Sequence, residues 1–308
     1  MSKTLLDIYI ETLVNRVNNV KRNNIIPPSL DIVFDGGAFN GGMGLGVAMY
    51  LKQLERLNRI SVRRVSGCSI GSIIALYYLV NIDYKDINKM FLDIRNCFQE
   101  NFNLTRYKHC VRRFIYSNMS DDLSSINNVL HITYYDLNSA KQIVQNKFKN
   151  REDLLESIVK SSHLPFISNR EFKYQGRYID GITPYVFHDN KRPVLFVMII
   201  TKSNYWRVFN TSKEESINER LLLGINDIDA FFNGTKSHMC SYYNDWSLFS
   251  TISLRVREII ILSVIALIEI YYSIYKYIPL LIKKTTIFSG LENIFYSFSR
   301  DIMYHIVR

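Results

Sequence analysis

Cysteine is scarce in this chain. Its 308 residues include four, Cys68, Cys97, Cys110 and Cys240, and no two of them form a C-x-x-C pair. That spacing excludes a dense disulfide scaffold and a cysteine-based zinc module, and a reducing, intracellular and cytoplasmic setting follows as the default. The opening Met1-Ser2-Lys3-Thr4-Leu5-Leu6-Asp7 contains no apolar h-region, so a secretory leader is not expected. Internal repeats and recognisable nucleic-acid modules are missing as well. Acidic residues are in deficit, 28 against 38 Lys and Arg, and the formal net charge is +10. A positive protein without a nucleic-acid module is better matched to an anionic phospholipid surface than to a nucleic acid. With 47% hydrophobic and 21% charged residues, the chain has ample apolar material for a core and is too apolar for disorder.

Helical spacing of Leu5, Ile8, Leu13, Val14 and Val17 predicts an amphipathic helix over 4–20, followed by a basic, proline-terminated connector from Lys21 to Pro28. Ser29 to Phe34 reads as a buried strand, the glycine-rich stretch 35–42 as a loop, and the residues to Leu57 as a helix. A second strand over 60–65 and a helix over 71–80 complete a β-loop-α-β-turn-α unit. Alternation of this kind implies a parallel sheet covered on both faces. Residues 84–160 are mostly helical in pattern. A hairpin turning at Gln175-Gly176 is expected across 171–179, and Pro193 to Ile200 is the most continuous strand-like run, completing the sheet by about residue 201. No element assignment follows for the stretch to residue 254.

Gly67-Cys68-Ser69-Ile70-Gly71 stands between strand and helix, the setting of a nucleophile elbow. Glycine is needed at both ends because the turn leaves no room for a side chain, and Ser69 is pushed outward above the helix N-terminus. The glycine loop Gly36-Gly37-Ala38-Phe39-Asn40-Gly41-Gly42 also leaves a strand and opens a helix. It is not a P-loop, because no Gly-Lys-Ser/Thr follows, and a dinucleotide fingerprint would leave the serine elbow unexplained. An oxyanion hole fits best, since neighbouring parallel strands end on the same sheet edge and bring the Gly37 and Ala38 amides towards the serine. A nucleophilic serine needs a base. None of His109, His131, His163, His188, His238 and His305 has a motif around it. Asp180, in Tyr178-Ile179-Asp180-Gly181-Ile182-Thr183-Pro184, ends a predicted strand ahead of a glycine and is the more specific candidate.

Taken together, these residues resemble the patatin-like phospholipases, whose pattern is a Gly-rich oxyanion loop, a Gly-x-Ser-x-Gly elbow and a distant Asp-Gly-Gly or Asp-Gly-Ala. The elements occur here in that order, with Ser69 and Asp180 separated by 180 − 69 = 111 positions. Lys160-Ser161-Ser162-His163-Leu164-Pro165-Phe166 is similar to the family's small-residue stretch before the aspartate. The resemblance spans roughly 28–202. It implies a three-layer α/β/α fold with a mainly parallel central sheet, and a lipid acyl hydrolase with a Ser69-Asp180 catalytic dyad. It further implies an oxyanion hole at Gly36, Gly37 and Ala38, motif glycines at Gly41, Gly67, Gly71 and Gly181, and neither cofactor nor metal. Three positions depart from the pattern. Ala38 replaces a glycine, and is expected to keep its amide available at a negative φ. Asn40 stands where a basic residue is common, and Ile182 where Gly or Ala follows Asp-Gly. Cys68 is expected to pack against the sheet. The competing readings are an α/β-hydrolase with a Ser-His-Asp triad, whose oxyanion loop and elbow normally stand further apart, and an inactive membrane-associated binding homologue.

The most apolar run, Ile259 to Ile282, is broken only by Glu269, Lys276 and a few small or hydroxylated residues and ends at Lys283-Lys284. Its 24 residues would make a helix of about 36 Å, enough to span a bilayer, although Glu269 near the middle would cost about 2.5–3.5 kcal/mol. Ala266, Glu269, Ser273 and Lys276 fall on one face and form a polar stripe, which suits a helix lying in the interface. The expected division is an N-terminal helix and linker over 1–27, a catalytic core over 28–202, an extension of the core over 203–254, and an apolar and basic helical region over 255–308. Phospholipid or another acylated lipid is the expected substrate, and the membrane surface the expected partner.

Overall fold

The computed structural model describes residues 4–17, 27–211 and 216–279, with isolated positions between 285 and 301. The end of the predicted first helix, Lys21 to Ile26 of the connector, Lys283-Lys284 and His305 lie outside the described residues. Helix α1 (Leu5–Val17) buries Leu13, Val14 and Val17 of the expected face together with Ile10, while Leu5 and Ile8 are exposed.

A mixed sheet forms the centre. Strand β1 (Leu30–Phe34) is buried at all five positions, as a strand covered on both faces must be. Strand β2 (Val62–Cys68) runs parallel beside it, with Phe34 opposite Gly67. Strand β3 (Leu130–Asp136) lies parallel to β2 with Thr133 opposite Cys68, and β4 (Lys141–Gln145) pairs antiparallel beyond β3. A short β5 (Tyr178–Ile179) pairs antiparallel with the end of β3. On the other side of β1, β6 (Val194–Val197) is parallel and β7 (Cys240–Tyr242) antiparallel. The order across the sheet is β4-β3-β2-β1-β6-β7.

The helices follow in chain order: α2 (Gly41–Arg56), α3 (Ile70–Leu79), α4 (Tyr84–Asn101), α5 (Tyr107–Asn118), α6 (Arg151–Ser161), α7 (Asn218–Phe232) and α8 (Leu248–Tyr277). Alternation along the strands sorts the two faces. Leu30, Ile32, Phe34, Leu195 and Val197 join the large core made with α1 to α7. Val33, Val194 and Phe196 point the other way, against Val186, Phe187, Trp246 and Leu254 of α8. The protein is therefore an α/β/α sandwich with unequal outer layers, and α8 is the helical cover of the thinner one.

Two expectations change. The stretch 84–160 contains β3 and β4 as well as helices. Every residue of β3 is buried, so its alternating polar members His131 and Thr133 are not on a wet face. The sheet is not complete at residue 201 either, because β7 closes its edge from residue 240. Helix α7, in the stretch that carried no assignment, packs against α2 so closely that a Cβ on Gly224 would stand 1.9 Å from the Met43 carbonyl oxygen. Gly224→Ala is accordingly expected to force these helices apart at a cost of about 1–3 kcal/mol. Chemical denaturation should register this as a lower midpoint.

Candidate active site

The elbow takes its shape from backbone crowding. A Cβ on Gly67 would lie 2.2 Å from the Gly71 carbonyl oxygen, and one on Gly71 would lie 2.5 Å from that of Phe34. With no side chain at either place, the chain reverses within one residue and Ser69 takes φ 53, ψ −132, a conformation that costs of order 1–3 kcal/mol outside glycine. The strain is held from both sides. The Ser69 amide donates to Ser161 Oγ at 2.9 Å, and Ser72 Oγ donates to the Ser69 carbonyl at 2.6 Å. Cys68 beneath is fully buried, and that burial pushes its thiol well up, so it remains a protonated packing group.

Asp180 reaches the same spot from β5. Its amide donates to the His163 carbonyl and that of Gly181 to the Ser161 carbonyl, both at 3.0 Å, so the end of α6 holds the acid turn and the serine turn together. Gly181 has no room for a Cβ, which would stand 2.3 Å from the Thr133 carbonyl and 2.8 Å from Cys68 Cβ. Ile182, at φ 57, donates its amide to Asp180 Oδ1 at 2.8 Å. The next amide, Thr183, folds back onto the Gly181 carbonyl at 2.5 Å, which makes Ile182 the centre of a strained γ-turn. A β-branched residue at positive φ is unusual. Its side chain offsets the strain by burial among Tyr135, Ile179 and Ile265 of α8.

Burial raises Asp180 to about 6, with the neighbouring Asp35 pushing in the same direction, while Ser69, the Ile182 amide and Arg257 pull it down. Its Oδ2 is buried with no hydrogen-bond partner. The Ser69 hydroxyl is near enough to stabilise the carboxylate, yet no hydrogen bond between them is formed in this resting arrangement.

The glycine loop backs directly onto the serine, since a Cβ on Gly36 would lie 3.1 Å from Ser69 Cβ. Of the three amides expected to form the oxyanion hole, Gly36's is occupied by Asp35 Oδ1 at 2.9 Å, which leaves Gly37 and Ala38. Ala38 does not have the negative φ expected of an alanine. Its φ is 43, so the loop keeps the left-handed turn of a glycine sequence with a residue that resists it. Downstream, Asn40 is fully buried and its amide group donates to the carbonyls of Ile199 and Asn204. Its Oδ1 accepts from Arg220 at 2.7 Å, and the Arg220 guanidinium also binds the carbonyls of Arg207 and Asn210. The basic group absent at position 40 thus arrives from α7, and nothing local in the sequence marks it.

Among the described residues, no histidine side chain hydrogen-bonds to Ser69 or Asp180. His163 lends its backbone carbonyl to the acid turn. Its ring lies against Tyr174 and the backbone of Glu171 and Phe172, and burial lowers its pKa. No group of three His, Cys, Asp or Glu residues able to hold a metal occurs among the described residues.

Ser69 opens onto a narrow apolar pocket of about 40 Å³ lined by Phe39, Ile70, Phe91, Ile94, Leu104 and Phe209, with Tyr107 and Ser162 at its side. That is room for a few waters, so a long acyl chain would enter only as these side chains move. A larger cleft of about 540 Å³ between α4 and α5 is lined with charged residues and contains neither Ser69 nor Asp180.

A family model, Patatin-like phospholipase, matches residues 32–190, just over half of the chain. The chain belongs to the patatin-like phospholipase family. No curated protein matches it. The family match takes in the glycine loop, the serine elbow and the Asp180 turn, and it ends before Arg220 and Arg257. Membership carries a lipid substrate and acyl hydrolase chemistry as the family's activity.

Any reaction that needs the Asp180 carboxylate should lose rate as pH falls through about 6, because protonation removes the base. The pH profile of covalent labelling at Ser69 by a fluorophosphonate measures this directly. A profile flat down to about pH 4, where an ordinary carboxylate titrates, would remove Asp180 from the reaction.

Proposed function

We propose that this patatin-like protein hydrolyses acyl esters of phospholipid or a related lipid through a Ser69-Asp180 dyad and a covalent acyl-enzyme. The observation that carries the reading is the meeting of a strained serine, which lines an apolar pocket, with a buried, unpartnered carboxylate oxygen. Ser69 Oγ attacks the ester carbonyl and passes its proton to Asp180, and the Gly37 and Ala38 amides receive the oxyanion. Asp180 returns the proton to the departing alcohol. It then deprotonates the water that releases the acid. A base near 6 suits this exchange, being mostly charged at neutrality and still able to hold a proton briefly. The lack of any histidine bonded to either residue, among those described, favours the dyad over a Ser-His-Asp triad.

The membrane surface enters through α8. Of its charged residues, Arg257 turns to the core and pairs with Asp35, and Glu269, with its side chain 42% exposed, pairs with Lys173. The outward face is apolar: Phe249, Ile259, Ile260, Val264, Leu267 and Ile270 are each about half exposed or more. Ala266, Ser273 and Lys276 of the expected polar stripe are exposed, and Glu269 joins them with its side chain 42% exposed. Among the described residues, no helix is long and apolar enough to cross a membrane, and the end of the expected 259–282 span lies outside them. An outward apolar helix on a chain of net charge +10 suits attachment to an anionic bilayer surface.

Ser69→Ala should abolish ester hydrolysis and fluorophosphonate labelling. Asp180→Asn should lower kcat by roughly 10²–10⁴-fold, with any single histidine substitution costing far less. Undiminished turnover by folded Ser69→Ala would sink the assignment, and a histidine variant as inactive as Asp180→Asn would replace the dyad with a triad. For the surface, Ile260→Asp with Val264→Asp should reduce flotation with anionic liposomes while leaving a soluble short-chain ester turned over at the wild-type rate. Unchanged flotation would refute α8 as the contact.

A further inference from the structure

Asp35 is the last residue before the glycine loop and is 1% exposed. A buried carboxylate there needs a counter-charge, and none of the residues around it in sequence supplies one. The partner comes from 222 positions away. Arg257 of α8 binds both carboxylate oxygens, Nη1 to Oδ2 at 2.6 Å and Nη2 to Oδ1 at 2.9 Å. The same Oδ1 also takes the Gly36 amide, so one oxygen joins the guanidinium to the loop. Gly36 in turn lies against Ser69 Cβ. A second contact on the same helix, Ile265 with Ile182, grips the acid turn. Helix α8 thus touches both halves of the site, one with a fork of hydrogen bonds and the other with apolar packing.

We propose that Arg257 is a positioning residue: by clamping Asp35 it fixes the start of the oxyanion loop against the Ser69 turn, so that hydrolysis requires the docked C-terminal helix. This rests on the Ser69-Asp180 reading of the site. Arg257 acts through Asp35 and the loop, where its planar fork fixes direction as well as charge. It also balances charge around the base. The groups facing Asp180 are Asp35 from the end of β1, Cys68 and Ser69 from the elbow, Tyr107 from α5 and Arg257 from α8. Of these Arg257 is the cation, and it opposes the effect of Asp35. Without it the Asp35 charge would bear on Asp180 unopposed, and the base would need a higher pH to ionise.

The test uses the full-length protein and its variants Arg257→Gln, Arg257→Lys and Asp35→Asn/Arg257→Gln. For each, a thermal melt is recorded, with kcat and KM on a soluble short-chain ester across about pH 5 to 9, the range that brackets the acid limb. Arg257→Gln should lower kcat by roughly 10–10²-fold with KM little changed, in the manner of a disturbed oxyanion site, and should move the acid limb to higher pH. Arg257→Lys, which keeps the charge and loses the fork, should restore the limb but only part of kcat. The double variant removes both charges, so its limb should return towards wild type while kcat stays low. If Arg257→Gln is not recovered folded, this near-isosteric pair decides the matter, and wild-type kcat in it would overturn the proposal. So would a folded Arg257→Gln that melts lower yet keeps the wild-type kcat and limb, since that is the signature of structural support alone. Failure of the dyad itself shows elsewhere, in wild type that neither labels at Ser69 nor differs from Ser69→Ala.

Discussion

Backbone contact at one edge of the sheet is the constraint on which this molecule depends. The ends of β1 and β2, the start of α3 and the turn after β5 meet with almost no side chain between them, and carbonyl oxygens of Phe34, Gly71 and Thr133 occupy the places where Cβ atoms would be. Contacts this close leave no slack. They force Ser69 into a strained conformation and keep it there, almost buried and with helix amides beneath. Ser161 joins the parts. Its hydroxyl takes the Ser69 amide while its carbonyl takes that of Gly181, so the nucleophile's turn and the acid's turn share one support.

Much of this was legible because it is local. An elbow, a glycine loop and an Asp-Gly turn each write their geometry into a few consecutive residues, and Gly67, Gly71 and Gly181 all stand where a close approach requires them. The Gln175-Gly176 hairpin was equally readable, as both residues take the positive φ its turn needs. Strand β3 was not. Its seven residues are buried throughout although His131, Thr133 and Asp136 are polar, and the short alternation they make was not separated from the helical pattern on either side. The departures at Asn40 and Ile182 were visible as oddities, but their compensations lie in α7 and α8, at a separation no short pattern spans. Arg220 reads in sequence as one more basic residue of a helix. Only the fold reveals it as a nearly fully buried group serving the loop after the oxyanion hole.

Both guanidinium groups that brace the glycine loop thus come from beyond the family-matching region. Burying such groups is costly, and leaving Asp35 unpaired would cost about 3–5 kcal/mol, the usual penalty for breaking a buried ion pair. Helix α8 meets that requirement inwardly while turning aliphatic and aromatic side chains outward, the reverse of the arrangement in a helix of a water-facing layer. The element that completes the electrostatics of the catalytic centre is also the one best suited to rest on lipid.

The distance from Asp35 to Arg257 has a consequence for how the protein is made. A ribosome emits the chain from its N-terminus, at about 5–20 residues per second. When Ile182 has emerged, the glycine loop, the serine elbow and the acid turn are all outside the ribosome, yet Asp35 has no counter-charge and Asn40 no guanidinium. Residues 183 to 257 must still emerge and fold back before the loop is held. A growing chain therefore displays the whole motif without its supports, and the positioning role proposed for Arg257 would keep it idle until its last long helix has docked.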